Sequence, residues 1–172
     1  KFKEYYTDEI KLIPDFFSAN KFKETFPNQK AKIITSIAMF YDLENPRTFV
    51  ADIENCLDDE GIWHFEQSYM PSMLRTNSYD TICHEHLEFY SLKVVKSLLE
   101  DEGLRIIDVQ MNDINELLQY KINKGFKIED SENIRPISTT TTSSSLIFFD
   151  NCTNSKCELT ALVEVSSSRG PL

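Results

Sequence analysis

Residues Lys32–Phe40 read KIITSIAMF. The run has strand length, is rich in β-branched residues and is apolar at odd and even positions alike. That is the pattern of a strand covered on both faces, as in a parallel sheet. On its carboxyl side, Asn45-Pro46 is a helix start: a side-chain acceptor at the cap, then a proline where a missing N–H costs nothing. Phe49, Val50, Ile53 and Leu57 follow at helical spacing, and Gly61 supplies the stop. GIWHF (Gly61–Phe65) reads as the next short strand, with His64 as a packed core histidine. Ser91 caps a further helix whose stripe is Leu92, Val95, Leu98 and Leu99. Gly103 ends that helix, and LRIIDV (Leu104–Val109) is the strand after it. On the amino side, IKLIPDFF (Ile10–Phe17) reads as a strand that Pro14 places at an end or an edge. Residues Ala19–Phe26 give one or two helical turns, with Phe22 and Phe26 on one face. Strand, helix, strand, helix, strand with short links predicts an α/β fold: a partial Rossmann-like core, a mostly parallel sheet flanked by helices.

Composition changes after about Glu116. A stretch rich in Lys, Asn and Glu leads to STTTTSSS (Ser138–Ser145), a low-complexity run. Leu146–Phe149 and Leu159–Val165 are strand-like but have no helix to cover them. The expected division is therefore a core over residues 1–115 and a loosely structured carboxy-terminal tail over 116–172.

The 172 residues carry 28 acidic and 18 basic side chains, a net charge of −10. A net anion is a poor sequence-independent binder of phosphate backbones or anionic lipid, so nucleic-acid and membrane-surface roles are not expected. No apolar run approaches the roughly 20 residues that span a bilayer, and no signal-peptide pattern opens the chain. A cytoplasmic protein is expected, with Cys56, Cys83, Cys152 and Cys157 reduced. The first residue is Lys1, not Met, which reads as a fragment. The four glycines are scattered, so no Gly-rich phosphate turn exists, and no GxSxG elbow or HExxH is present.

The densest chemical cluster is YDTICHEH (Tyr79–His86), with two of the three histidines of the chain flanking a carboxylate. It lies on a loop joining a strand to a helix, where α/β folds place their sites. Three readings stand side by side. The residues are solvated loop polars; or His84 and His86 ligate a metal with Cys83 or Glu85; or an imidazole acts as acid–base catalyst with a carboxylate supporting it. Phe16, Phe17, Met39, Phe40 and Tyr41 cluster at two strand ends, where they either pack as core or stack on a purine with Asp15 accepting from its amine. Glu66, Ser68 and Tyr69 hold a similar position after the next strand.

The runs TSIAMFYDLENP (Thr35–Pro46), EQSYMPSM (Glu66–Met73) and NSYDTICHEHLEFYSL (Asn77–Leu92), then LRIIDVQ, resemble the S-adenosylmethionine-dependent C-methyltransferase family. Its better-known members act on nucleotide-linked keto-deoxysugars. The resemblance covers roughly Ile10 to Asn115. It implies S-adenosylmethionine as cofactor and a small-molecule acceptor. It also implies His86 as the base that removes a proton next to a ketone, Glu85 as the residue that holds the sugar, and His84 as a supporting pocket residue. Asp15, Phe16, Met39 and Phe40 match the donor-binding strand ends. Tyr69, Tyr79 and Cys83 fall on the acceptor side, and Cys83 stands where the family often has Tyr. No metal is implied. The family's Gly-rich donor loop and following acidic residue would precede Lys1, and Glu116-Leu117-Leu118 replaces its Gly-Gly-Ser. The chain is thus expected to be an incomplete methyltransferase, inactive alone, the alternative being a non-catalytic α/β module or degenerate partner subunit.

Overall fold

A computed structural model describes residues 10–79, 82–111, 117–124, 145–152 and 157–163. The elements are β1 (Ile10–Phe16), α1 (Ala19–Thr25), β2 (Ala31–Ile37), a 3-10 turn (Phe40–Asp42), α2 (Pro46–Cys56), β3 (Leu57–Ser68) and α3 (Met70–Thr76). After these come α4 (Leu92–Asp101), β4 (Leu104–Met111), β5 (Leu117–Lys124), β6 (Ser145–Cys152) and β7 (Cys157–Val163). The seven strands form one sheet in the order β1-β7-β6-β2-β3-β5-β4.

Local chemistry sets most boundaries. Ser18 Oγ accepts from Lys21 N at the start of α1, and Asn45 Oδ1 accepts from Thr48 N at the start of α2. Phe22 and Phe26 meet as an i,i+4 pair, ring centroids 5.3 Å apart. Gly103, at φ 77°, ends α4 in the left-handed conformation that glycine adopts without strain. Ser91 caps α4 through its carbonyl, which accepts from Val94 N and Val95 N, rather than through its side chain. The helix after Asn45 stops at Cys56, short of the expected glycine, and β3 starts at once. Gly61 lies inside β3 instead. A Cβ there would meet the Ala31 carbonyl oxygen at 2.8 Å, so glycine lets two strands close up.

The sheet is mixed. β1 to β4 run one way, as the alternation of elements predicts; β6, expected in a loose tail, runs with them, while β5 and β7 oppose them. The β4–β5 and β6–β7 links are too short for a crossover and so make antiparallel pairs. Among the described strands only β6–β2 and β2–β3 are parallel neighbours, fewer than a mostly parallel sheet would have. The strand-like stretches beyond residue 116 pair into the sheet. β5 joins β3 to β4, and the β6–β7 hairpin stands between β1 and β2. β1, with Pro14 beside its bulge, is an edge strand, where a residue without an N–H is tolerated.

Helices α1, α2 and α4 pack in a row over one face of the sheet. Beneath them β3 points Trp63, Phe65 and Gln67 inward, and β5 adds Tyr120 and Ile122. Phe65 and Tyr120 stack at 4.4 Å with planes 10° apart. Phe40 wedges among Phe49, Trp63, Phe65 and Tyr90. The opposite face differs from the expectation of a strand buried on both sides: among the described residues Ile33 and Ile37 of β2 remain exposed. His64 likewise points away from the helix-covered core and is only half-buried, because strict alternation along β3 gives Trp63 and Phe65 the inner face.

Candidate active site

The parallel strands β2 and β3 end side by side, with Ile37 opposite Glu66. Beyond Ile37 the chain makes a sharp turn at Ala38, whose φ of 52° lies in the left-handed region and costs an alanine about 1 kcal/mol. Ala38 N donates to the Glu66 carbonyl at 3.0 Å, which holds the turn. Strained backbone kept at the carboxyl end of a central strand is a marker of function. The turn drives Met39 and Phe40 into the core, each only 1% exposed. It then brings Tyr41 and Asp42 out at the rim.

The loop bearing the histidines hangs on this rim. The Tyr41 carbonyl accepts from both Leu87 N and Glu88 N at 3.0 Å. A turn from Cys83 to His86 is closed by His86 N donating to the Cys83 carbonyl. The His86 and Tyr41 rings lie 4.3 Å apart, centroid to centroid. Burial pushes the Tyr41 hydroxyl up to about 12, and the negative charges of Asp42 and Glu66 add to the rise. Burial also raises the Asp42 carboxyl, while His86 draws it back and Glu85 lifts it further. Asp42 Oδ1 is buried with no hydrogen-bond partner. Glu66 is steadied by Gln119 Nε2, which donates to its carboxylate at 2.7 Å. The rim therefore joins an imidazole, a phenol and two carboxylates.

The other sequence candidates fall in several places. His84 is 91% exposed and sits 3.9 Å from Glu85, so that carboxylate faces the outer histidine. Cys83 is an exposed free thiol; Cys56 is buried, its thiol pushed up to about 12 by burial, and is inert. Tyr69 precedes α3, its carbonyl accepting from Ser72 N and Met73 N. Tyr79 is exposed, with its hydroxyl 3.5 Å from Asn77 Oδ1. Asp15 and Phe16 end β1, three strand positions from β2, about 14 Å at ordinary strand spacing. The Asp15 carboxylate is held below its usual range by the Phe16 N–H and by Lys21. Met39 and Phe40 are buried in the core, so their side chains are not presented to a ligand at the rim. Among the described residues no group of His, Cys, Asp and Glu is arranged to hold a metal ion.

Sequence reasoning missed Ala38, Tyr41 as a support for His86, and Asp42. The last two had a signal: a polar aromatic followed by an acid just past an apolar strand. Ala38 had none, since alanine rarely adopts this backbone.

Residues 5–109 match the family of the methyltransferase domain. The chain belongs to the methyltransferase domain family. This methyltransferase domain is 27% identical over 107 residues to the C-methyltransferase NovU of Streptomyces niveus, covering 62% of the chain and 26% of NovU. It therefore spans about a quarter of that relative's length. Its fold is similar to the mitomycin 7-O-methyltransferase MmcR, at a TM-score of 0.50 and 15% identity over 60% of the chain and 32% of MmcR. A S-adenosylmethionine-dependent methyltransferase from Clostridium acetobutylicum ATCC 824 aligns at a TM-score of 0.45 and 13% identity, over 58% of the chain and 60% of that protein. No described helix is long and apolar enough to cross a membrane.

Proposed function

We propose that this methyltransferase domain serves methylation of a carbon next to a ketone in a small molecule, a nucleotide-linked keto-deoxysugar, in the cytoplasm, with His86 as general base. The observation that supports it is the His86 imidazole braced by Tyr41 beside the half-buried Asp42 carboxylate.

The donor is S-adenosylmethionine, which when bound supplies an electrophilic methyl group on a cationic sulfur. The residues present suit such a group: Asp42 and Glu66 offer negative charge at adjoining strand ends, Tyr41 offers an aromatic face, and Asp42 Oδ1 has no hydrogen-bond partner. At the end of β1, exposed Phe16 offers a ring surface and Asp15 an acceptor for an adenine amine.

A proton next to a carbonyl is acidic because the charge left behind spreads onto oxygen. His86 takes that proton, and the carbon becomes the nucleophile. Asp42 stabilises the imidazolium that results, and the loop's attachment to Tyr41 keeps the ring in place. Glu85 and Tyr79, on the same stretch of sequence as His86, orient the acceptor.

The proton step is measurable without the donor. In heavy water the chain is expected to speed exchange of the proton next to the ketone of a keto-deoxysugar, and His86→Gln to slow it by about 100-fold with circular dichroism unchanged. Equal exchange rates in the two proteins would remove His86 from its role.

A further inference from the structure

Among the described strands, β1, which ends in Asp15 and Phe16, is hydrogen-bonded to the sheet through β7 alone. β7 in turn pairs with β6, and β6 with β2, which leads into the turn at Ala38. The β6–β7 pair is therefore the bridge between the two strand ends that the methyl-transfer reading assigns to the donor.

The last register pair of this bridge is Cys152 opposite Cys157. β6 runs parallel to β2 with Phe149 opposite Ser36, and Glu158 of β7 is opposite Phe16 of β1. Cys152, beyond Phe149, and Cys157, just before Glu158, thus stand at the carboxyl end of the sheet, beside the ends of β1 and β2. Four residues of sequence link them, a usual hairpin length. Residues opposite each other in an antiparallel pair have Cα atoms about 4.5 or 5.5 Å apart. A disulfide spans Cα atoms about 4.4–6.8 Å apart. The remaining two cysteines are placed otherwise: Cys56 is buried and Cys83 lies on the histidine-bearing loop.

We propose that Cys152 and Cys157 are a reversible redox site. Oxidised to a disulfide, they clamp the hairpin on which β1 hangs; reduced, they leave its end unclamped. The oxidant is a small disulfide such as glutathione disulfide. The thiolate of one cysteine attacks a glutathione sulfur and expels one glutathione; the thiolate of the other then attacks the mixed disulfide and expels the second. One S–S bond breaks in the oxidant and one forms in the chain. The chain gives up two electrons, and the two thiol protons end on the two glutathiones. In a reducing compartment the thiol form prevails and the bond forms under oxidative load, as in sensing disulfides. The pairing is independent of the methyl-transfer reading; its consequence for the donor rests on it.

The full chain is incubated with glutathione disulfide, remaining thiols are blocked, and trypsin is used to cut after Lys156, between the two cysteines. The expected product is a pair of peptides joined through Cys152 and Cys157 that separate on reduction. The oxidised chain is expected to melt about 5 °C above the reduced one. Amide hydrogens of β1, β6 and β7 are expected to exchange about tenfold more slowly in it. Cys152→Ser is expected to abolish the link and both shifts, whereas Cys83→Ser keeps them. Glutathione left on either cysteine without a link, a link to Cys56 or Cys83 instead, or a link that moves neither melting nor exchange would overturn the proposal. A chain that forms the link but never exchanges the ketone's neighbouring proton would sink the methyl-transfer reading and leave the redox site standing.

Discussion

The imidazole of His86 rests on the ring of Tyr41 with the two planes inclined by 53°, and the same tyrosine's carbonyl accepts from the two residues that follow His86. One residue thus fixes both the base and the loop that carries it. The backbone part of this arrangement survives any substitution at position 41; the ring part does not.

Tyr41→Phe keeps the aromatic support and is expected to hold proton exchange near the wild-type rate. Tyr41→Leu removes it and is expected to cut the rate by about tenfold through loss of positioning. Comparing the two separates ring support from the phenol: a Phe variant as slow as the Leu variant would show that the hydroxyl is what matters.

Asp42 links the site to stability. Burial raises its carboxyl in the folded state, so its contribution to stability is full below the ordinary carboxylate value of about 4 and is lost as pH rises through the raised value. At neutral pH the charged form is therefore a burden on the fold. Asp42→Asn is expected to melt at higher temperature than wild type near neutrality, with the gap closing towards pH about 4, while proton exchange falls about tenfold for want of an anion beside the imidazolium. Thermal melts over that pH range check the first part; no gain at neutral pH would count against the burden.

Trp63 Nε1 donates to Ser36 Oγ at 3.0 Å, both residues being buried. Ser36→Ala leaves the indole N–H unpaired where water cannot reach, at an expected cost of about 1–3 kcal/mol. Urea denaturation reads this directly, and an unchanged midpoint would mean the indole finds another acceptor.

At Gly61 a methyl group would sit 2.8 Å from the Ala31 carbonyl oxygen and 3.0 Å from that of Asp58. Both are backbone atoms and cannot swing aside. Gly61→Ala is expected to lose about 1–3 kcal/mol through overpacking, again read by denaturation. A neutral result would show that β2 and β3 can part at this point without penalty.

The features legible in the sequence were those decided locally. Asn45 and Ser18 cap, Gly103 stops a helix, and Phe22 meets Phe26, because each depends on residues within one turn. The place of Ser145–Cys152 and Cys157–Val163 was not legible, since their partners lie far away in the chain and no local pattern names them. Helix α3, as short as α1, escaped notice because no capping side chain opens it and its buried residue is Ser72 rather than an apolar pair. The histidine loop stood out by its composition, but its support did not. The turn at Ala38 shifts the side-chain phase, so Met39 and Phe40 go inward and Tyr41 emerges in their stead.

The pairing of Ile10 with Leu162 has a kinetic meaning. A strand made early finds its ladder only after nearly everything between has been synthesised, and closing so long a loop is slow. Until then its unsatisfied edge is open to neighbouring molecules, so the wait for its partner strand is the period in which such a chain is most exposed to aggregation.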